Sequence, residues 1–195
     1  MCKFYSAIVL RNGDILHNPW TMSHEDLIDE FNINDNIGYL DRFVRIEFYP
    51  DDSNDISNVE KYSLHVDETE VPDWFLEIQS RILEDMKTII SRMIIKDQSL
   101  KILVGKCVIL SNSVITKMIA SRCYIMKNSS VGEMRENSSV GKMRENSSVG
   151  EMLENSNVGE MWENSSVDEM WGNSSVGKMW GRSEEHTSEL QSRIT

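Results

Sequence analysis

The sequence predicts an α+β head, antiparallel strands plus one long helix, followed by a parallel β-solenoid of eight- to nine-residue repeats. Three observations predict it. Residues 128–181 repeat one sentence, Asn-Ser-Ser-Val-Gly-Glu-Met-x-Glu/Gly, six times over, and a unit that short encloses a core only by stacking on copies of itself. Ahead of it lie short apolar runs bounded by turn residues, the pattern of strands. Between them Pro72 opens a stripe of Trp74, Phe75, Ile78, Ile82, Met86, Ile89, Ile90 and Met93 at three- and four-residue spacing, a helix running to about Ile94. The expected domains are a head over 1–96 and a solenoid over 97–181, with degenerate repeats at 105–127 and regular ones at 128–181; residues 182–195 form a tail.

In the head, residues 4–10 read as a strand, and Asn12-Gly13 is a strong hairpin signal returning through 15–17. A two-residue turn would set His17 opposite Ile8. Ser23 is placed to cap a short helix, with Asp26 three residues on and Leu27, Ile28 and Phe31 as its apolar face. Residues 43–49 alternate Val44, Ile46 and Phe48 against Arg45 and Glu47, and Pro50 ends the run. Tyr62, Leu64 and Val66 mark a further strand. The long helix would cover this sheet.

Each nine-residue unit carries one apolar pair, Val131 with Met134 in the first copy and Val176 with Met179 in the last. Burying the pair yields about 1.5 to 3 kcal/mol per side chain, while ordering each backbone residue costs about 1 to 2 kcal/mol. Stacking is therefore obligatory. A period of nine matches neither a heptad nor an eleven-residue supercoil, and the Asn-Ser-Ser cluster favours turns. In a solenoid Ser129 and Val131 would alternate inward, and Gly132-Glu133 would bend the chain so that Met134 faces inward again. Gly132, Gly141, Gly150, Gly159, Asp168 and Gly177 hold that bend position, which suits a left-handed backbone. Asn128, Asn137, Asn146, Asn155, Asn164 and Asn173 would form a ladder of amides at a corner. Two units, about 18 residues, make the expected coil, with a three-sided coil as the alternative.

Degenerate copies carry the pattern upstream at eight-residue spacing: Gly105, Cys107 and Leu110; Ser113, Ile115 and Met118; Ser121, Cys123 and Met126. The solenoid is thus expected to begin near Leu100, capped by the long helix. Cys107 and Cys123 then take the Val position as small core hydrophobes. Residues 182–195 break the repeat and resemble the in-frame translation of a widely used sequencing adapter, so they are set aside from fold reasoning and the coil near Trp180 is expected to end in an open edge.

The chain of 195 residues has a net charge of -12, and residues 1–97 hold 20 acids against 9 bases. Such a balance opposes direct nucleic-acid binding. There is no apolar run of 18 residues and no basic-then-apolar start, so a soluble, cytoplasmic protein without membrane contact is expected. Three cysteines, none in a Cys-x-x-Cys pair, fit a reducing compartment, and neither metal nor cofactor is expected.

Cys2 is the one sharp catalytic candidate, since removal of Met1 would expose an N-terminal thiol whose own amine could act as base. Lys3 stands where related hydrolases carry Gly, and no oxyanion-hole motif follows. His24-Glu25 lacks the second histidine of a zinc helix, Ile28 standing there. Residues 51–62 fail as a calcium hand, with Ile56 in place of Gly and Tyr62 in place of Glu. The repeat lacks the Gly-Gly-x-Gly-x-Asp turn of calcium rolls, and Lys142 and Lys178 replace its Glu. Asn128-Ser129-Ser130 matches a glycosylation sequon, though nothing in the sequence indicates secretion. The residue after Met runs Arg135, Arg144, Leu153, Trp162, Trp171, Trp180, and in a solenoid these form outer columns. Trp162, Trp171 and Trp180, with Arg135 and Arg144, are the candidate partner-binding residues. The plainer account is that column neighbours stack on each other.

The opening Met-Cys-Lys-Phe-Tyr-Ser-Ala-Ile-Val-Leu-Arg-Asn-Gly-Asp-Ile-Leu, with Ser-His-Glu-Asp-Leu-Ile, Pro-Asp-Trp-Phe and the Asn-Ser-Ser-Val-Gly-Glu-Met-Trp repeats, resembles uncharacterised phage and gut-metagenome proteins. The resemblance covers residues 1–181 and implies a small α+β head before a variable number of short repeats, in a phage or bacterial setting. It carries no catalytic residues with it. The expected function is that of a non-enzymatic binding or structural protein whose solenoid presents a repetitive surface to a protein partner, with self-association through the uncapped last coil. One alternative is an N-terminal-nucleophile hydrolase using Cys2. The other is an acidic DNA mimic, comparable in logic to pentapeptide-repeat proteins that bind topoisomerases.

Overall fold

A computed structural model describes residues 4–36, 38–52 and 55–187, and these fall into two compact units that divide between Arg92 and Met93. In the first unit β1 (Tyr5–Leu10), β2 (Ile15–Leu16), β3 (Phe43–Pro50) and β4 (Tyr62–Val66) form an antiparallel sheet in the order β2-β1-β3-β4. The β1–β2 turn is one residue longer than Asn-Gly alone suggests. Leu10 and Asp14 close it, Gly13 takes the left-handed conformation at φ 89°, and Leu16, not His17, faces Ile8. That is the three-residue loop in which a left-handed glycine completes the turn.

Helix α1 (His24–Glu30) is capped by Ser23, whose hydroxyl accepts the Asp26 N–H at 3.2 Å. Its Leu27 and Ile28 pack on Ile8 and Phe43, on one face of the sheet. Helix α2 (Asp73–Ser91) lies against β4 and buries Phe75, Ile82, Met86 and Ile90 of the stripe its spacing predicts, but it ends at Ser91, short of the expected Ile94, which opens the next strand. Strand β1 is buried over residues 5–9 in succession, so both its faces are covered. The Arg45 and Glu47 side of β3 is accordingly no solvent face: Glu47 is buried and the Arg45 guanidinium lies over the Tyr39 ring. Alternation correctly separated the two faces of that strand, but both are packed.

The second unit is a parallel β-solenoid. One sheet stacks β5 (Ile94–Lys96), β7 (Cys107–Ser111), β9 (Arg122–Lys127), β11 (Ser139–Arg144), β13 (Asn157–Met161) and β15 (Ser175–Met179). The other stacks β6 (Ser99–Val104), β8 (Val114–Ile119), β10 (Ser130–Arg135), β12 (Ser148–Met152), β14 (Ser166–Met170) and β16 (Glu184–Thr187). Val131 pairs with Val149 and Met134 with Met152, a step of 18 residues, so the coil is two repeats and two-sided. Between the sheets Val131, Met134, Val140, Met143, Val149, Met152, Val158, Met161 and Val167 form one continuous column, each at most 1% exposed.

The bend, however, lies elsewhere in the unit. Gly132, Gly141, Gly150, Gly159 and Gly177 sit within strands and keep ordinary φ; the left-handed corner residues are Glu136, Glu145, Glu154 and Glu163, at φ 56° to 63°, succeeded by Gly172 and Gly181. Gly150 is small for another reason. A Cβ there would stand 2.6 Å from the Gly132 carbonyl oxygen of the coil below.

Earlier coils are shorter. Val131 lies opposite Ile115, sixteen residues back, and Ile115 opposite Leu100, fifteen back. At these corners a single left-handed residue, such as Ala120 at φ 44°, precedes the serine, and the asparagine that follows the corner Glu downstream is missing. Two features ahead of the regular repeat differ from expectation. The first strand of the stack is β5, ahead of Leu100. Val108 and not Cys107 pairs with Cys123, because the β7–β9 register shifts between Val108 and Leu110; Cys107 faces Arg122. Cys123 does hold the Val position, opposite Val140. At the far end β16, outside the repeat, adds a parallel strand to β14, while the outer side of β15 remains an edge among the described residues. Among the described residues no helix is long and apolar enough to cross a membrane.

Candidate functional site

The residue after each Met leaves its strand at a corner, and because successive repeats alternate between sheets these residues form two columns. Leu153 N–H bonds to the Met134 carbonyl and Trp171 N–H to that of Met152, both at 2.9 Å, which aligns Arg135, Leu153 and Trp171. Trp162 and Trp180 N–H bond in the same way to Met143 and Met161 at 3.0 and 2.8 Å, aligning Arg144, Trp162 and Trp180. The five candidate residues therefore do not make one patch. In the second column the Trp162 and Trp180 rings stack with centroids 5.5 Å apart and planes at 23°, and the Arg144 guanidinium lies 5.7 Å from the Trp162 centroid. Two of the three indoles are pinned by the acid two residues before them: Trp162 Nε1 donates to Glu160 at 3.1 Å and Trp171 Nε1 to Glu169 at 3.0 Å, whereas Trp180 has Lys178 in that place. Ring faces in the stack are spent on each other, which is the plainer account of the column. Trp180, 48% exposed, keeps one face open.

The sheet faces between the columns carry rows of charge. On one sheet Lys117, Glu133, Glu151 and Glu169 stand in register, Lys117 Nζ reaching Glu133 at 3.0 Å, and Arg135 also contacts Glu133. On the other the row is Lys142, Glu160, Lys178, with Lys142 Nζ 3.8 Å from Glu160.

Three ladders hold the corners. The asparagines link amide to amide, Asn146 to Asn128 at 3.3 Å and Asn173 to Asn155 at 3.2 Å, as the sequence predicts. Buried serines turn inward: Ser147 Oγ donates to the Met126 carbonyl at 2.9 Å and the Arg144 carbonyl at 2.7 Å. Corner glutamates answer backbone donors one coil away, Glu154 accepting the Glu136 N–H at 2.7 Å and Glu163 the Glu145 N–H at 2.8 Å.

The head holds a polar cluster that the sequence did not signal, because its members come from distant segments. Glu68, its side chain 3% exposed, accepts the Tyr39 hydroxyl at 2.5 Å, the Arg45 N–H at 3.0 Å and the Arg45 guanidinium at 3.3 Å. The bond to Glu68 raises the Tyr39 pKa above the ordinary phenol value, and burial adds to it. Beside them His24 Nε2 contacts the Ile46 carbonyl at 3.0 Å and Nδ1 lies 3.3 Å from Asp67. Tyr39, Arg45, His65, Asp67 and Glu68 line an open cleft of about 530 Å³. Glu68 is fully answered by its neighbours, so the cluster pins the segments on either side of β3 to that strand.

Cys2 lies outside the described residues. Burial pushes the Cys107 thiol up to about 11 and the Cys123 thiol up to about 12. Both sulfurs thus stay protonated near neutrality and are poor nucleophiles. Among the described residues no three His, Cys, Asp or Glu side chains converge as a metal set. Comparison of the chain with family models, curated proteins and solved structures returns no match.

Proposed function

We propose that the chain is a non-enzymatic binding or structural protein of phage or bacterial setting, whose solenoid offers a repetitive surface to a protein partner. One observation carries this reading: on one sheet the 18-residue step returns the same outer carboxylate in register, at Glu133, Glu151 and Glu169. A partner therefore meets equivalent groups at the spacing of adjacent strands, about 4.8 Å. Rows of like carboxylates destabilise a sheet, so their repetition is a cost that stacking alone does not explain. The phage or bacterial setting rests on the resemblance of the opening residues, and placement in the cytoplasm on the sequence features given above.

The test is retention of partners from a bacterial lysate by the full chain, by a chain with Glu133, Glu151 and Glu169 reversed to lysine, and by a chain with Tyr39→Phe in the head. A partner lost only on reversal of the row supports the reading. One retained by the reversed chain and lost with Tyr39→Phe would move the function to the head.

A further inference from the structure

The six regular repeats alternate between the two sheets, so a difference between odd and even copies becomes a difference between two faces. Strands β10, β12 and β14 carry Glu133, Glu151, Asp168 and Glu169 on their outer side against the single cation Arg135. Strands β11, β13 and β15 carry Lys142, Arg144 and Lys178 against the single carboxylate Glu160. One face is acidic and the other basic. Contacts within the chain leave that imbalance in place: Lys117 and Arg135 answer Glu133, and Lys142 answers Glu160, whereas no ion pair reaches Glu151, Glu169 or Lys178 among the described residues. Rows on opposite faces of one solenoid cannot meet each other, but each can meet its counterpart on another copy.

We infer that copies of this chain stack side by side, the acidic sheet of one against the basic sheet of the next. Both faces repeat at the strand spacing of about 4.8 Å. Glu133 and Glu169 stand two coils apart, as do Lys142 and Lys178, so both ends of the carboxylate row meet a lysine at once. Glu151 faces Glu160 in that register and lies between the two lysines. Each exposed pair is weak, so the contact depends on several forming together. The two faces are different patches, which makes the contact heterologous, and stacking by translation does not close. A row of copies forms, and not a dimer. This rests on the binding role proposed above and names a second copy as the partner of that surface; it asks nothing of the end of the coil stack.

The experiment is sedimentation velocity of the full chain from micromolar to millimolar concentration at two salt levels. At about 0.1 M the Debye length, about 10 Å, matches the spacing of packed sheets, so face pairs act while repulsion between whole chains of net charge -12 is largely screened. At about 1 M it falls to about 3 Å. Species larger than a dimer, growing with concentration, are expected at the lower salt and monomer at the higher. Glu133→Lys with Glu151→Lys and Glu169→Lys should stay monomeric, and so should Lys142→Glu with Lys178→Glu. An equimolar mixture of the two should assemble again, since each then supplies the face the other lacks. Glutamine at the same three glutamates should also abolish assembly, which covers reversed rows that fail to fold. A native chain that is monomeric at millimolar concentration in the lower salt overturns the proposal. So does a closed dimer, or association that persists at the higher salt or survives both reversals. Loss of a lysate partner on reversal of the glutamate row, in a chain that is monomeric throughout, would keep the side-surface reading and sink the stack, so the two fail separately.

Discussion

Glu154 answers to two opposing demands. Its left-handed backbone, φ 60°, costs an L-residue about 1 to 2 kcal/mol, while its carboxylate accepts the Glu136 N–H at 2.7 Å. Glu154→Ala keeps the strain and loses the acceptor; Glu154→Gly loses both. The glycine variant should therefore be the more stable of the two by about 1 kcal/mol in urea denaturation, and equal stabilities would remove the corner argument. The natural glycines at 172 and 181 hold the same corner without strain. They were the visible signal of where the chain bends, but the more regular glycine after Val drew the bend to itself. At that glycine an added Cβ would meet the carbonyl of the coil below, a contact that exists only once coils stack, although Asp168 is accommodated at the same position above Gly150. Cysteine chemistry belongs to this scale as well. With its thiol raised to about 12 by burial, Cys123 should resist iodoacetamide at pH 8 in the native chain and label fully after unfolding, read by peptide mass mapping. Labelling of the native chain at the rate of a free thiol would sink the buried assignment.

Among elements, the strands and helices of the head were legible from period and punctuation, and what stood across from them was not. The stripe of α2 and the Ser23 cap followed from spacing alone. The burial of the polar side of β3 did not, since the residues covering it, Tyr39 and Glu68, lie outside the strand, Glu68 being 23 residues from Arg45 along the chain. In the solenoid the column of Arg144, Trp162 and Trp180 is one cohesive unit. Trp162→Ala removes the middle ring, and with it both the stacked pair and the cation's platform, so a loss of about 1 to 2 kcal/mol is expected in chemical denaturation. Trp180→Ala should cost less, because its outer face makes no such contact. An equal loss for both would mean that the stack contributes nothing beyond area.

For the whole molecule the two-repeat coil makes length a free variable. Deleting residues 137–154 joins Glu136 to Asn155, which restores the same corner sequence and removes one complete coil. The shortened chain should remain folded, with a lower urea m-value and a lower midpoint, as expected when stability is a sum over neighbouring coils. Collapse of its far-ultraviolet strand signal would show that the coils are not interchangeable. The architecture was readable because repetition multiplies a weak signal, six copies of one Val and one Met. The start of the stack and the register of Cys107 were harder, since each rests on a single degenerate copy. The shorter coils ahead of Ser129 bear on how the chain finds its phase. Within residues 128–181 a slip of one coil returns Val to Val and Met to Met, so the regular repeats hold almost no information about frame. The coils that step by fifteen and sixteen residues do not superpose on those that step by eighteen, and so they act as the index mark from which later coils are counted.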